Sequence, residues 1–290
     1  RIDTPMDTFA AEDGTLYVID WNGHKVRALD ETGMLAFVTG TGTEGDACEL
    51  ELKDGGCPAA GAELNHPTDV FVDDDGMLWI SAWHNSKVKC IAEPGGVVQN
   101  VCGTGNRKFE GDGGPCRDEA GADVVSFVLP SGVVVDRFGN VFISDQSNQV
   151  VRRLGRDGII TTVAGNCPGT PGFGCPNGRG YTGDGGPATQ GALNNNVGQG
   201  TGPHGKIALD RDGNLYIADT VNNAVRKVTP GSDGVLGDGD PEEELISTVA
   251  GTGEAGYSGD DGPANEAQLY APTDVAVTSD GTLFIADSAN

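Results

Sequence analysis

The chain has 290 residues and a formal net charge of −25, with 43 acidic and 18 basic side chains. This excess of negative charge repels phosphate backbones and argues against a nucleic-acid partner, while solubility outside the cytoplasm accounts for it. No stretch resembles a transmembrane helix, so we expect no membrane insertion.

One pattern recurs five times, and each copy opens on a proline. The opening prolines are Pro5, Pro67, Pro130, Pro203 and Pro272. A nearly fixed period of this size is typical of an array of one supersecondary unit. We expect complete units at 5–66, 67–129, 130–202 and 203–271, with 272–290 forming part of a fifth.

Each complete unit contains four short apolar runs, which predict four strands. In the second unit the first two runs, 70–72 and 77–80, are joined by Asp75-Gly76, a pair typical of tight hairpins. The third run alternates apolar and basic residues, as in Val88-Lys89, and the fourth is again apolar. Four antiparallel strands per unit predict an all-β fold: a single β-propeller domain over residues 1–290, with four complete blades and part of a fifth.

These repeats resemble those of the NHL-repeat propellers, including bacterial NHL repeat-containing proteins. The resemblance rests on the Pro-x-[Gly/Asp] opening, the Asp-x-x-Gly-x-[Leu/Val/Phe]-[Tyr/Phe]-[Ile/Val]-Ala-Asp core and the following Asn-x-x-[Val/Ile]-Arg, and it covers nearly the whole chain. NHL propellers usually have six blades. The resemblance therefore implies a six-bladed parent of which this chain is a part, and a five-bladed ring is the alternative.

Seven cysteines predict an oxidising, extracytoplasmic location: secreted, periplasmic or at the cell surface. A zinc site made of cysteines is not indicated, because the sequence has no Cys-x-x-Cys pair. The candidate disulfides are Cys48–Cys57 and Cys167–Cys175, which bracket two inserted loops, and Cys90–Cys102, which flank a hairpin turn and leave Cys116 over.

One face of the propeller is predicted to collect the long connections between blades. This loop-rich face also carries Trp21, Trp83 and His84 at turns that follow second strands, and we expect exposed aromatic residues there to bind a partner. The alternative is that both tryptophans pack beneath the loops. The connections repeat a Gly-Asp-Gly-Gly-Pro motif, whose aspartates we expect to cap nearby backbone N–H groups.

First strands line a propeller axis, so the residues after each opening proline are predicted to ring the channel mouth. Asp7, Asp69 and Asp274 lie there and could together bind calcium, as in some lactonase-type propellers; the alternative is that each caps a turn of its own blade. The fold-related peptide α-amidating lyase binds zinc through several histidines at such positions, but here only His204 occupies one. A second, weaker calcium candidate is the acidic insertion containing Asp238, Asp240 and Glu242.

The sequence therefore favours a non-enzymatic extracytoplasmic propeller that binds a protein, peptide or glycan through the loop-rich face, where His204 is a further candidate contact. No catalytic residue is assigned, because no Ser-His-Asp or Cys-His arrangement can be located, and calcium is the one candidate cofactor. One alternative is a metal-dependent hydrolase or lyase, using calcium or zinc at the channel mouth. Another is an architectural domain of a larger surface protein or assembly.

Overall fold

The structure is a computed structural model that describes residues 2–48, 56–167, 175, 178–195 and 202–290. It is all-β and confirms the predicted blades. Blade 1 comprises β1 (Pro5–Ala10), β2 (Leu16–Asp20), β3 (Lys25–Leu29) and β4 (Leu35–Thr39). Blade 2 comprises β5 (Cys57–Pro58), β6 (Pro67–Val72), β7 (Leu78–Ala82), β8 (Lys87–Ile91) and β9 (Val97–Cys102), with β5 paired to β9.

The later blades repeat the same order. Blade 3 comprises β10 (Pro130–Val135), β11 (Val141–Asp145), β12 (Val150–Leu154) and β13 (Ile160–Ala164). Blade 4 comprises β14 (Ile207–Leu209), β15 (Leu215–Asp219), β16 (Ala224–Thr229) and β17 (Leu245–Ala250), and β18 (Pro272–Val277) with β19 (Leu283–Asp287) forms a two-stranded fifth sheet. No helix in the described ranges is long and apolar enough to span a membrane.

First strands of successive blades pack side by side around the axis, β1 on β6, β6 on β10, β10 on β14 and β14 on β18. Apolar side chains fill the space between neighbouring sheets. Between blades 1 and 2, for example, Ile19 and Val38 pack in one cluster with Leu64 and Ile80, and all four are fully buried. This arrangement explains the near-continuous apolar runs, because both faces of the inner sheets are covered.

Blades 1, 3 and 4 also carry a polar clamp between an Asp and an Arg, seen most fully in blade 3. Asp145 ends β11, and its carboxylate accepts hydrogen bonds from the Val128 N–H and from Asn148 Nδ2, both at 2.7 Å. Arg152 of β12 lies 3.9 Å away, and both charged side chains are fully buried. The recurring Asp and the Asn-x-x-Val-Arg motif thus act together, tying the entry of the blade to its second and third strands.

The Gly-Asp-Gly-Gly-Pro connections complete this clamp. Asp112 lies 3.2 Å from Arg152, and the Phe109 ring lies 5.1 Å from the same guanidinium. In blade 4, Asp184 and the Tyr181 ring hold Arg226 in the same way, at 2.6 and 5.1 Å. The prediction that these aspartates cap backbone N–H groups is therefore wrong: each is an ion-pair partner for the buried arginine of the next blade.

Two predicted disulfides are confirmed and one is wrong. Cys48 is bonded to Cys57 and Cys167 to Cys175, whereas Cys102 is bonded to Cys116, leaving Cys90 free and buried. In the β8–β9 ladder Cys90 is opposite Gln99, and Cys102 is opposite Val88, so the two sulfurs are not cross-strand partners. Three disulfides fit an oxidising compartment. Burial, followed by the charge of Asp73, raises the pKa of the Cys90 thiol to about 11.

Candidate functional site at the boundary of blades 1 and 2

Three of the four histidines meet on the loop-rich face. His24 lies just before β3, His66 just before β6, and His84 in the turn after β7. The His66 ring contacts both of the others, with centroids 4.5 Å from His24 and 4.7 Å from His84. The sequence places these residues at unrelated blade positions, but the start of blade 2 brings them together with the turns of blades 1 and 2.

Two tryptophans border this group. The Trp83 ring stacks on His84 at 4.2 Å with an interplanar angle of 16°, and the Trp21 ring lies 4.5 Å from His66. Trp83 is only 4 % exposed and donates a hydrogen bond to Gln146 Oε1 at 2.9 Å, so it is not an exposed anchor. Trp21 is half-buried, and its buried Nε1 has no hydrogen-bond partner among the described residues.

The backbone conformation at His24 and His66 recurs at the equivalent positions of later blades. His24 and His66 both have φ +50°, a left-handed conformation that non-glycine residues rarely adopt. The same two places in later blades are left-handed at Asn223 and Ala271, where Asn223 Oδ1 accepts the Ala271 N–H at 3.0 Å. His24 Nδ1 accepts the His66 N–H at 3.2 Å in the same way, so His24 links two blades through its unprotonated Nδ1.

The histidines are held in their neutral form. Burial lowers the pKa of His24, His66 and His84, and for His84 the charges of His66 and Arg107 add to it, giving a pKa of about 4. The charge of Glu44 opposes all three shifts. His66 Nδ1 lies 3.1 Å from His84 Nδ1 and 2.7 Å from Asn65 Oδ1, so polar atoms converge on this ring nitrogen.

The predicted channel-mouth carboxylates do come together, but around a lysine. Lys206 Nζ lies 3.0 Å from Asp7 Oδ1, 3.2 Å from Asp69 Oδ1 and 3.4 Å from Asp274 Oδ2. The inner strands beside them enclose a cavity of about 210 Å³. The lysine ammonium stands where a calcium ion would have to bind to all three.

The same aspartates also join neighbouring blades. Asp7 Oδ2 accepts the Val70 N–H at 3.2 Å, and Asp69 Oδ2 accepts the Val133 N–H at 2.6 Å. Burial raises the pKa of Asp69 well above its usual value, and the charge of Asp7 adds to the rise. Burial opposes ionisation of Asp7 as well, but the Lys206 charge and its hydrogen bonds leave the Asp7 pKa lowered.

Lys206, the cation at the centre of these carboxylates, was not predicted from the sequence. Aligning the repeats on their opening prolines would have revealed it, because every other blade has an uncharged residue there. The equivalent residues are Thr8, Val70, Val133 and Val275.

The remaining candidates lie apart. His204 is half-buried with a pKa lowered by burial, and its contacts within the described part of the chain include no other histidine. In the acidic insertion Asp240 accepts the Glu242 N–H at 3.0 Å, while Glu242 accepts Gln190 Nε2 at 3.0 Å and Asp238 lies 3.8 Å from Arg153. These three acids therefore face different partners.

Comparison with known proteins agrees with this architecture. Residues 202–290 match the Teneurin NHL domain family. Over 286 residues the chain is 26% identical to Protein SUPPRESSOR OF QUENCHING 1, chloroplastic, of Arabidopsis thaliana, covering 97% of this chain and 24% of that protein. It is 26% identical to Teneurin-1 of Mus musculus, covering 100% and 12%, and 25% identical to NHL repeat-containing protein 2 of Gallus gallus, covering 85% and 32%.

The chain is a β-propeller that is similar to NHL-repeat proteins. The chain spans a third or less of the length of these relatives. An auxiliary nutrient binding protein from Bacteroides ovatus matches it with a TM-score of 0.58 at 13% identity, over 99% of this chain and 57% of that one. A putative gluconolactonase matches with a TM-score of 0.51 at 13% identity, over 98% and 71%. At this level of identity these solved structures show that the propeller fold is shared.

Proposed function

We propose that this propeller is a non-enzymatic binding module of a longer extracytoplasmic chain, and that it holds a protein partner on its loop-rich face beside Trp21 and His84. The observation that carries this proposal is the concentration of half-buried aromatic and imidazole rings at one blade boundary. Three disulfides support the compartment. The small share of each relative that the chain covers supports a role as one module among others.

The local sequence supports the choice of this boundary. Blade 2 has Ala82 where other blades end the second strand in Asp, and Lys89 where blades 3 and 4 have the buried Arg. Asn85 Oδ1 accepts the Asn65 N–H at 2.9 Å, and Asp46 pairs with Lys89 at 2.9 Å, so the blade remains tied down by other means. Positions where one blade loses the repeated residues and other contacts replace them are expected at functional sites.

The chemistry of this surface suits a protein or peptide. Tryptophan and histidine rings offer flat faces together with N–H donors, and tryptophan is enriched at binding hot spots. The net charge of −25 favours a neutral or basic partner and disfavours an acidic one. A calcium- or zinc-dependent enzyme at the channel mouth is less well supported, because Lys206 already neutralises the carboxylates that it would use.

The proposal is tested by partner capture with the whole chain, displayed against a library of secreted proteins and, separately, a glycan array. For a captured protein we expect Trp21→Ala to weaken binding at least tenfold, while Phe138→Ala, which removes a 42 % exposed ring elsewhere on the surface, leaves it unchanged. Equal binding by a folded Trp21→Ala, His84→Ala double variant would remove this surface from consideration. Binding to glycans alone would replace the partner class.

A further inference from the structure

We propose that Glu44, His66 and His84 form a binding site for a divalent transition metal, with zinc as the best match to its donors. In the described ranges these three residues are the group whose ligand atoms all lie within 4.8 Å of one another. The site lies within the surface assigned above to partner binding, but it rests on its own geometry and does not depend on that function.

The two imidazole nitrogens are spaced as ligands of one ion. Zinc–nitrogen bonds of about 2.0–2.1 Å at a tetrahedral angle separate two nitrogens by about 3.3 Å. His66 Nδ1 and His84 Nδ1 lie 3.1 Å apart. Two imidazoles and one carboxylate are a donor set that zinc uses where a fourth position stays open, whereas calcium and magnesium prefer oxygen donors alone.

The fold holds the ligands in place from three directions. The backbone of His66 is fixed by its hydrogen bond to His24 Nδ1, and the ring of His84 is fixed by stacking on Trp83. Glu44 is brought to the site by a backbone bridge to Leu64, and its side chain is exposed. His24 is a positioning residue, since its Nδ1 is already an acceptor for the His66 N–H.

Local charges both help and oppose the ion. The Glu44 carboxylate supplies one negative charge toward the proposed ion. The Arg107 guanidinium donates to the His84 carbonyl oxygen at 3.2 Å and opposes a second cation nearby. Metal at His66 Nδ1 also replaces the 2.7 Å contact with Asn65 Oδ1.

The test is titration of the metal-free chain with Zn²⁺ by calorimetry and with Co²⁺ by visible absorption, in the absence of any partner. We expect one metal per chain. His66→Asn and Glu44→Gln should each weaken binding at least tenfold and reduce the cobalt spectrum. Asn tolerates the left-handed backbone of residue 66 and keeps the N–H that His24 accepts, so the first variant is expected to fold.

His204→Asn is the matched control, because it makes the same change at a histidine outside the group, and its metal affinity should equal that of the unchanged chain. His24→Asn should also retain the metal, because its amide oxygen can accept the His66 N–H. The inference is overturned if the unchanged chain binds no Zn²⁺, or if folded His66→Asn and Glu44→Gln bind it undiminished. Since no partner is present, either result leaves the proposed protein-binding function to be judged by its own experiment.

Discussion

The boundary between blades 1 and 2 differs from the boundary between blades 3 and 4 in how it uses its polar side chains. At the later boundary a buried arginine, Arg226, is held by Asp219 at 3.3 Å and Asp184 at 2.6 Å. At the earlier one the arginine is a lysine, Lys89, and the strand-ending aspartate is Ala82. The later boundary therefore uses its polar side chains in an ion-pair clamp, while the earlier boundary leaves His66, His84 and Trp21 half-buried. The candidate binding residues thus lie beside blade 2, the blade whose sequence departs from the repeat at Ala82 and Lys89.

The largest expected effect comes from breaking the clamp. Arg226→Met leaves Asp219 fully buried without its cation, and removing one partner of a buried ion pair costs about 3–5 kcal/mol. Lys89→Met leaves only Asp46, whose side chain is 36% exposed and still contacts Lys87, so we expect a loss of about 1 kcal/mol or less. Urea unfolding of both variants measures the difference, and equal losses would show that the two boundaries are energetically alike.

A smaller effect should separate the boundaries by pH. Because burial lowers the pKa of His84 to about 4 from 6.5, the unfolded chain binds more protons than the folded chain between these values. The stability contributed by neutral His84 is therefore complete above pH 6.5 and is lost as the pH falls toward 4. Discounted for its partial exposure, the loss is about 1–2 kcal/mol.

The clamp aspartates respond in the opposite sense. Burial raises the pKa of Asp145 to about 7 and that of Asp219 to about 6, against 3.8 in the unfolded chain. Their contribution is complete below pH 3.8 and is lost as the pH rises through 6 to 7. Because the two effects have opposite signs, the contribution of His84 is measured by comparing the unchanged chain with His84→Asn. From pH 7 to pH 5 the free energy of unfolding should fall more in the unchanged chain than in His84→Asn. Parallel pH profiles would show that His84 titrates normally.

The sequence predicts features that repeat or are local, because each can be read from spacing alone. The blades, their strands and the disulfides that close short loops, such as Cys48–Cys57, belong to this class. The Cys102–Cys116 bond was missed because it depends on how the connection after β9 folds back onto that strand, and the register of β9 against β8 excludes Cys90 as the partner. The histidine group escaped for a related reason: His24, His66 and His84 occupy three different places in the repeat and meet only when blade 2 packs on blade 1.

The smallest expected effect tests whether His24 is a repeat element or a chemical one. Its Nδ1 does for His66 what Asn223 Oδ1 does for Ala271, and asparagine accepts the left-handed conformation that His24 adopts. We therefore expect His24→Asn to change the unfolding free energy by less than about 0.5 kcal/mol, whereas His24→Ala, which leaves the His66 N–H without its acceptor, should cost about 1–3 kcal/mol. Thermal and urea unfolding of the two variants measure this contrast. If His24→Asn were as destabilising as His24→Ala, the imidazole ring of His24 itself would be required. His24 would then belong to the same unit as His66 and His84 instead of only positioning His66.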